Sequence, residues 1–441
     1  MLLEDGRLTT GRRLPAERVL AAELGVSRTT VSAAYALLRE QGRLVTVHGS
    51  GSVLALGGSR GAASAGSATV IDLSNAVPPA WPGLPEVAER AATRLPSMLA
   101  THGLDYIGLL ELRERIARRY TDRGLPTTAD QVMVTNGAQH AISLVVGTRL
   151  RRADRLVLDI PSYPHAIDAF RDAGARLVPI AMPEARQQID EWERTLHLLR
   201  PEFAYLMPDF RNPTGSSLDE GERRRLIAAA AASGTVLLVD ETTAELAIDP
   251  APPTRPLAAL AVGSGAEVIT VGSVGKTIWH GLRVGWIRAD SRTIAALAAA
   301  RPARDLGIPV LDQLVVSELL PDIDRVLAHR AEQLGATRDA VVARLRSDLA
   351  DWTVPVPAGG LCIWITLPDA RSSLLVSAAA ERGVRITAGP RFGLDGAFER
   401  QLRIPLSGTA ETTADAVGLL SEAWRSLGVP MPRQEAYAPL L

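Results

Sequence analysis

The chain of 441 residues has one cysteine and one lysine. A single thiol, Cys362, permits no internal disulfide, which excludes a disulfide-stapled scaffold and favours a reducing compartment. No run of 18 uninterrupted apolar residues occurs, and the opening MLLEDGR lacks the basic start and apolar core of a secretory leader. A membrane span is therefore not expected, and a soluble cytoplasmic protein is. Neither sign of charge dominates: 48 basic residues stand against 49 acidic ones. Any nucleic-acid binding must then come from a local patch rather than a global positive field. Aromatics are scarce at 4%, but hydrophobic residues at 46% and charged residues at 22% are ordinary globular usage, which excludes a disordered chain. The length suits two or three domains with sizeable cores.

The lone lysine is Lys276, while arginine carries nearly all of the positive charge. A GC-rich genome would favour arginine codons in this way. Where arginine serves as the general cation, a retained lysine suggests a task that a guanidinium cannot perform, and only an amine can form an imine.

Residues 56–70, LGGSRGAASAGSATV, are rich in Gly, Ser and Ala without apolar periodicity and read as a flexible linker. Before it, Pro15 to Leu24 reads as a helix carrying Val19, Leu20 and Leu24. Gly25 supplies a turn, and Ser27 caps a second helix running to Gln41 with Val31, Tyr35 and Leu38 at apolar spacing. RLVTVHGSGSVLA then reads as two short strands around a Gly-Ser turn. After the linker, apolar runs alternate with helical patterns, as in an α/β domain with a mainly parallel sheet. Strands are expected at Gln131–Thr135, Arg155–Ile160, Phe203–Met207, Thr235–Val239 and Val268–Gly272. The polar clusters NGAQ, PSYP, DFRNPTG, DETT and SVGK follow them. Ligands sit outside the carboxyl ends of strands in open α/β sheets, so these five clusters are expected to converge on one pocket. From about Leu319 a long charged helix and short strands suggest a smaller α+β subdomain.

Residues 7–54 have the layout of a winged helix-turn-helix and resemble the GntR class of bacterial regulators. Such a fold would place Ser27, Arg28, Thr29 and Thr30 in the major groove and bring the wing, including His48 and Gly49, to an adjacent groove or the backbone. Seven arginines against five carboxylates over residues 1–55 support this mildly. GntR-type domains usually begin with a further helix, and only LLEDGRL precedes the matching region here, so either the true start codon lies further upstream or the reader lacks a helix that packs its core.

Pyridoxal 5'-phosphate (PLP) needs an amine for its imine, an acid at its pyridine nitrogen and a cradle for its phosphate. Lys276 can supply the first. Asp240 ends the apolar run TVLLVD, where a carboxylate needs a cationic partner. Gly137, Ala138 and Gln139 open a helix whose backbone N–H groups could receive the phosphate. The segment GSVGKTIWHGLRVGW resembles the lysine segment of fold-type I aminotransferases, and this likeness implies that Ser273 and Arg283 bind the phosphate. It also implies that Asn212 in NPTG contacts the phenolic oxygen, that Tyr163 in PSYP stacks on the ring, that Arg403 clamps a ligand carboxylate, and that Tyr106 reaches a neighbour's phosphate across a dimer. No metal is called for.

A GntR-like reader, a linker and an aminotransferase-like domain in this order resemble the MocR family of regulators. The resemblance implies a winged helix-turn-helix at 1–55, a linker at 56–70, a large PLP domain at 71–318 and a small subdomain at 319–441. It further implies a head-to-tail homodimer, operator DNA as partner and an amino compound, or PLP itself, as effector. The alternative is an aminotransferase acting on a small amino acid, with a vestigial N-terminal segment. Two positions depart from the aminotransferase pattern, Thr243 in place of a tyrosine and Gly275 in place of a serine, and these losses fit sensing better than turnover.

Overall fold

The computed structural model describes residues 14–40, 44–47, 51–54, 70–181, 185–250 and 255–428. Residues 1–13, His48, Gly49 and the linker residues 56–69 lie outside these ranges.

In the N-terminal unit, helices Glu17–Leu24 and Arg28–Glu40 precede strands Leu44–Val47 and Gly51–Leu54, which pair antiparallel. Gly25 ends the first helix at φ +64°, a left-handed conformation that favours glycine. The Ser27 hydroxyl accepts from the Thr30 N–H at 3.1 Å and so caps the second helix. Ala21, Val31 and Tyr35 form a small core with Leu14, Leu20 and Leu38. Val19 and Leu24, expected to face inward, are exposed at 45% and 62%. The core-facing stripe runs instead through Leu20 and Ala21, one or two positions away around a helix that turns about 100° per residue.

The large unit is built on seven strands: β1 Val132–Thr135, β2 Arg155–Ile160, β3 Arg176–Ala181, β4 Phe203–Leu206, β5 Val236–Asp240, β6 Val268–Ser273 and β7 Gly285–Arg288. Their order is β1-β7-β6-β5-β4-β2-β3. All neighbouring pairs are parallel except those of β7, which runs antiparallel to both β1 and β6. Successive strand residues enter opposite cores: Val157, Ala204, Leu237 and Val239 on one face, Leu156, Leu158, Phe203, Tyr205 and Leu238 on the other. Helices cover both faces, which is why these strands read as unbroken apolar runs.

A second core joins helices Ser372–Ala380 and Ala410–Ser426 to strands Cys362–Thr366 and Gln401–Pro405. Helix Ile323–Asp348 links the two units, giving Ile323 and Val326 to the large core and Leu334, Val341 and Leu345 to the second. The stretch just after the linker packs with this second core as well: Ile71–Asp72 pairs with Val384–Arg385, and Leu73 and Ala76 are buried in it. Among the described residues no helix is long and apolar enough to cross a membrane.

Candidate functional site

The ends of β1, β2, β4, β5 and β6 open onto one cleft of about 740 Å³, within the roughly 300–1,000 Å³ usual for small-molecule sites. Gly137, Ala138, Gln139, Tyr163, Asn212, Asp240, Ser273, Lys276 and Arg283 all line it. Tyr106 and Arg403 are not in that lining. The Tyr106 carbonyl accepts from the buried Arg301 guanidinium at 2.7 Å. Arg403 is buried, its Nη2 donates to the Ser74 carbonyl and its guanidinium lies 4.8 Å over the Phe392 ring.

Lys276 follows β6 by three residues, and its ammonium donates to the Ala76 carbonyl at 2.7 Å. Burial brings its pKa down from the ordinary 10.5 to about 8; Arg403 and Arg283 act in the same sense, while Cys362 and Asp240 oppose them. An amine in this range is about one-tenth unprotonated at pH 7, against well under one in a thousand for an ordinary lysine, and the neutral form is the nucleophile. Asp240, the last residue of β5, is buried, which pushes its carboxyl upward. Two donors resist that shift: the Thr242 N–H at 2.9 Å and the Tyr205 hydroxyl at 3.0 Å. Burial and the neighbouring Asp240 keep the Tyr205 phenol far above its usual range, so it remains a donor. Tyr205 carries no motif that marks it in the sequence.

On the phosphate-like side, helix Gly137–Arg149 begins with no side-chain cap, leaving its first N–H groups directed at the cleft. Gly137 sits at φ +75°, and a Cβ there would lie 3.3 Å from the Arg283 guanidinium. That guanidinium donates to the Asn136 carbonyl at 3.2 Å. The Ser273 hydroxyl donates to the Val284 carbonyl at 3.1 Å and accepts from the Gly275 N–H at 3.0 Å. Thr243 spends its hydroxyl on the Asp209 carbonyl, 3.1 Å away. The side chain of Tyr163 is mostly buried, which pushes its phenol up to about 12, and Asp240 adds to the effect.

Two buried ion pairs brace the loop that carries Asn212. Arg211 lies 3.2 Å from Asp159 at the end of β2, and Arg223 pairs with Asp209. Arginine at 211 read as one of many, so its role was hidden by composition.

Residues 68–420 match the model of the aminotransferase class I and II family. The chain belongs to that family. Its residues 1–54 match the gntR family of bacterial regulatory proteins, which makes the whole a MocR-type fusion of a DNA reader with an aminotransferase-like domain. A 2-aminoadipate transaminase of Thermus thermophilus is 31% identical over 319 residues, 70% of this chain and 78% of the relative. The HTH-type transcriptional regulators YdfD of Bacillus subtilis and NorG of Staphylococcus aureus are each 28% identical, over 64% and 58% of this chain. The matched regions span 59% and 58% of those two regulators. Among solved structures, LysN, the α-aminoadipate aminotransferase of Thermus thermophilus complexed with N-(5'-phosphopyridoxyl)-L-leucine, has a TM-score of 0.74 at 29% identity. That likeness covers 81% of this chain and 92% of LysN.

The cofactor of this aminotransferase-like family is PLP, and the residues present fit it. An uncapped helix start beside a glycine, a buried carboxylate at one strand end and a single depressed-pKa amine at the next are the three features the group requires.

Proposed function

We propose that the chain is a cytoplasmic, PLP-dependent transcriptional regulator that reads the occupancy of its cleft by an amino compound and passes it to the N-terminal reader. When bound, PLP supplies an aldehyde that condenses with amines. Lys276 is the side chain placed to hold it, Asp240 to face its ring nitrogen, and Gly137, Ala138, Gln139, Ser273 and Arg283 to hold its phosphate. Asn212 and Tyr163 stand where they can flank the ring, and Tyr106 serves the neighbouring site in a head-to-tail dimer.

One observation carries the regulatory reading. Ser74 and Ala76, a few residues after the linker, give their carbonyls to Arg403 and Lys276 respectively. These are the two cations that a carboxylate-bearing amine and the cofactor would claim. A ligand carboxylate at Arg403 competes with the Ser74 carbonyl, and an uncharged Lys276 is a weaker donor to Ala76. Occupancy therefore loosens or re-forms the strap to which the linker is joined, and a ligand shifts the equilibrium by its differential affinity for the two arrangements. Arg403 also has a buried Nε without a hydrogen-bond partner among the described residues. A carboxylate in bidentate contact would satisfy it.

Replacing Arg403 with alanine should weaken the response to a carboxylate-bearing amine at least ten-fold, on the order expected for a lost charge-assisted hydrogen bond, and leave simple amines unaffected. Spectral titration of the PLP-loaded protein with amino acids and matched decarboxylated amines measures this. Equal losses for both ligand types would remove Arg403 from the carboxylate site.

Ser27, Arg28, Thr29 and Thr30 are exposed on the first turn of the second helix, where a reader contacts DNA. Arg28→Ala is expected to weaken binding to the chain's own upstream promoter about ten-fold or more at moderate salt, read by mobility shift. Absence of any specific shift by the unaltered protein would reject the regulator.

The likeness to a transaminase supports a second reading, turnover of an amino acid with a keto acid. The deciding experiment is a titration with amino compounds, with and without operator DNA. Ligand-dependent change in DNA affinity supports the regulator, and steady turnover at ~1 per second with unchanged DNA affinity supports the enzyme.

A further inference from the structure

His280 lies four residues after Lys276 and lines the same cleft. Its Nε2 is 2.9 Å from Arg283 Nη1. A guanidinium has no acceptor lone pair, so it must donate, and the imidazole Nε2 must accept. The ring is then neutral, with its proton on Nδ1. Partial desolvation in the cleft and the two cations that face the ring, Lys276 and Arg283, disfavour a charged imidazole as well.

Arg283 is consequently held on two sides, by His280 and by the Asn136 carbonyl at 3.2 Å. Its backbone sits at φ +53°, left-handed and unfavourable for an arginine. This conformation turns the side chain back toward Gly137, where the helix starts uncapped. Gly275 leaves the room the imidazole uses: a Cβ there would approach His280 Nδ1 to 3.1 Å and Ser273 Oγ to 3.2 Å. Gly275 and His280 thus form one arrangement, in which a ring occupies space that a side chain at 275 would contest.

We infer that His280 is a positioning residue for phosphate recognition, its neutral Nε2 aiming the Arg283 guanidinium at the open first turn of helix Gly137–Arg149 so that a phosphate monoester is gripped there. This rests on the cofactor reading above. It assigns the pair His280–Arg283 to the phosphate end of PLP and not to the aldehyde end.

The test compares PLP with pyridoxal, which lacks the phosphate, by equilibrium titration of the full chain. His280→Leu keeps bulk and removes the acceptor, and it should weaken PLP about ten-fold while leaving pyridoxal within about two-fold. His280→Gln, whose amide oxygen can accept from the guanidinium, should recover most of the loss. Equal weakening of PLP and pyridoxal would show a general structural role, and unchanged PLP affinity in the leucine variant would show no role; either overturns the inference. Should the leucine variant not fold, His280→Ala, which also lacks the acceptor, takes its place: PLP weakened relative to pyridoxal supports the proposal, and both weakened equally, or neither weakened, rejects it. If the unaltered protein binds neither compound, the cofactor reading falls and this inference with it.

Discussion

Lys276→Ala is expected to abolish the visible absorption that the protein acquires with PLP, leaving no residual fraction. In most proteins PLP also attaches to exposed lysines, which blurs such a result. Here Lys276 is the only side-chain amine in the chain, so covalent attachment has one side-chain destination. Borohydride reduction of the unaltered protein should fix the cofactor on a single peptide, the one containing Lys276. Lys276→Arg should behave as the alanine variant does, because a guanidinium stays charged and cannot condense. Undiminished colour in either variant would refute the assignment of Lys276.

The depressed pKa adds a pH dependence whose sign can be stated. The neutral amine reacts, and with a pKa of about 8 its share grows about five-fold between pH 7 and 8, then less than two-fold between pH 8 and 9. An ordinary lysine would gain roughly ten-fold per pH unit throughout that range. Attachment rates measured by stopped-flow absorbance should therefore level off near pH 9. A rate still climbing ten-fold per unit at pH 9 would mean that burial has not lowered the amine's basicity.

Strands β1, β2, β4, β5 and β6 were legible in the sequence because each is buried on both faces and reads as a continuous apolar run. Strands β3 and β7 were not. β3 is an edge strand in which only Ile180 is buried, and β7 is a four-residue antiparallel insert in which Trp286 and Arg288 are only partly buried. The cleft residues that follow the legible strands could be placed for the same reason: a strand end is a local feature. Tyr205 could not, since its contact depends on the register that sets it beside Leu238, two residues before Asp240. Still less visible were the carbonyls of Ala76 and Ser74, which meet Lys276 and Arg403 across 200 and 329 residues of chain. Backbone carbonyls carry no sequence signature, so the strap emerges only once both units are folded.

Asp159→Ala is expected to be strongly destabilising. Two donors and a cation converge on this buried carboxylate: Gln188 Nε2 and Trp192 Nε1 each donate to Oδ1 at 2.8 Å, and the Arg211 guanidinium forms an ion pair with Oδ2 at 3.2 Å. Burial pushes the Asp159 carboxyl upward, but Arg211 and the two neutral donors favour the ionised form, whose Oδ1 accepts from both neutral donors while Oδ2 faces the guanidinium as an ion pair. Removing the carboxylate takes a counterion from the Arg211 charge, which stays buried beside Met207 and Gln188. Breaking one side of such a pair costs about 3–5 kcal/mol, a large part of a typical domain's stability. Chemical denaturation of the two proteins measures it. Because Arg211 precedes Asn212 in the chain, the same variant should weaken PLP binding even where it remains folded. Arg211→Met tests the cause: removing the guanidinium as well, in the double variant, should restore part of the lost stability, since the buried cation is then gone too. A double variant less stable than Asp159→Ala alone would mean that the loss comes from packing and not from the imbalance of buried charge.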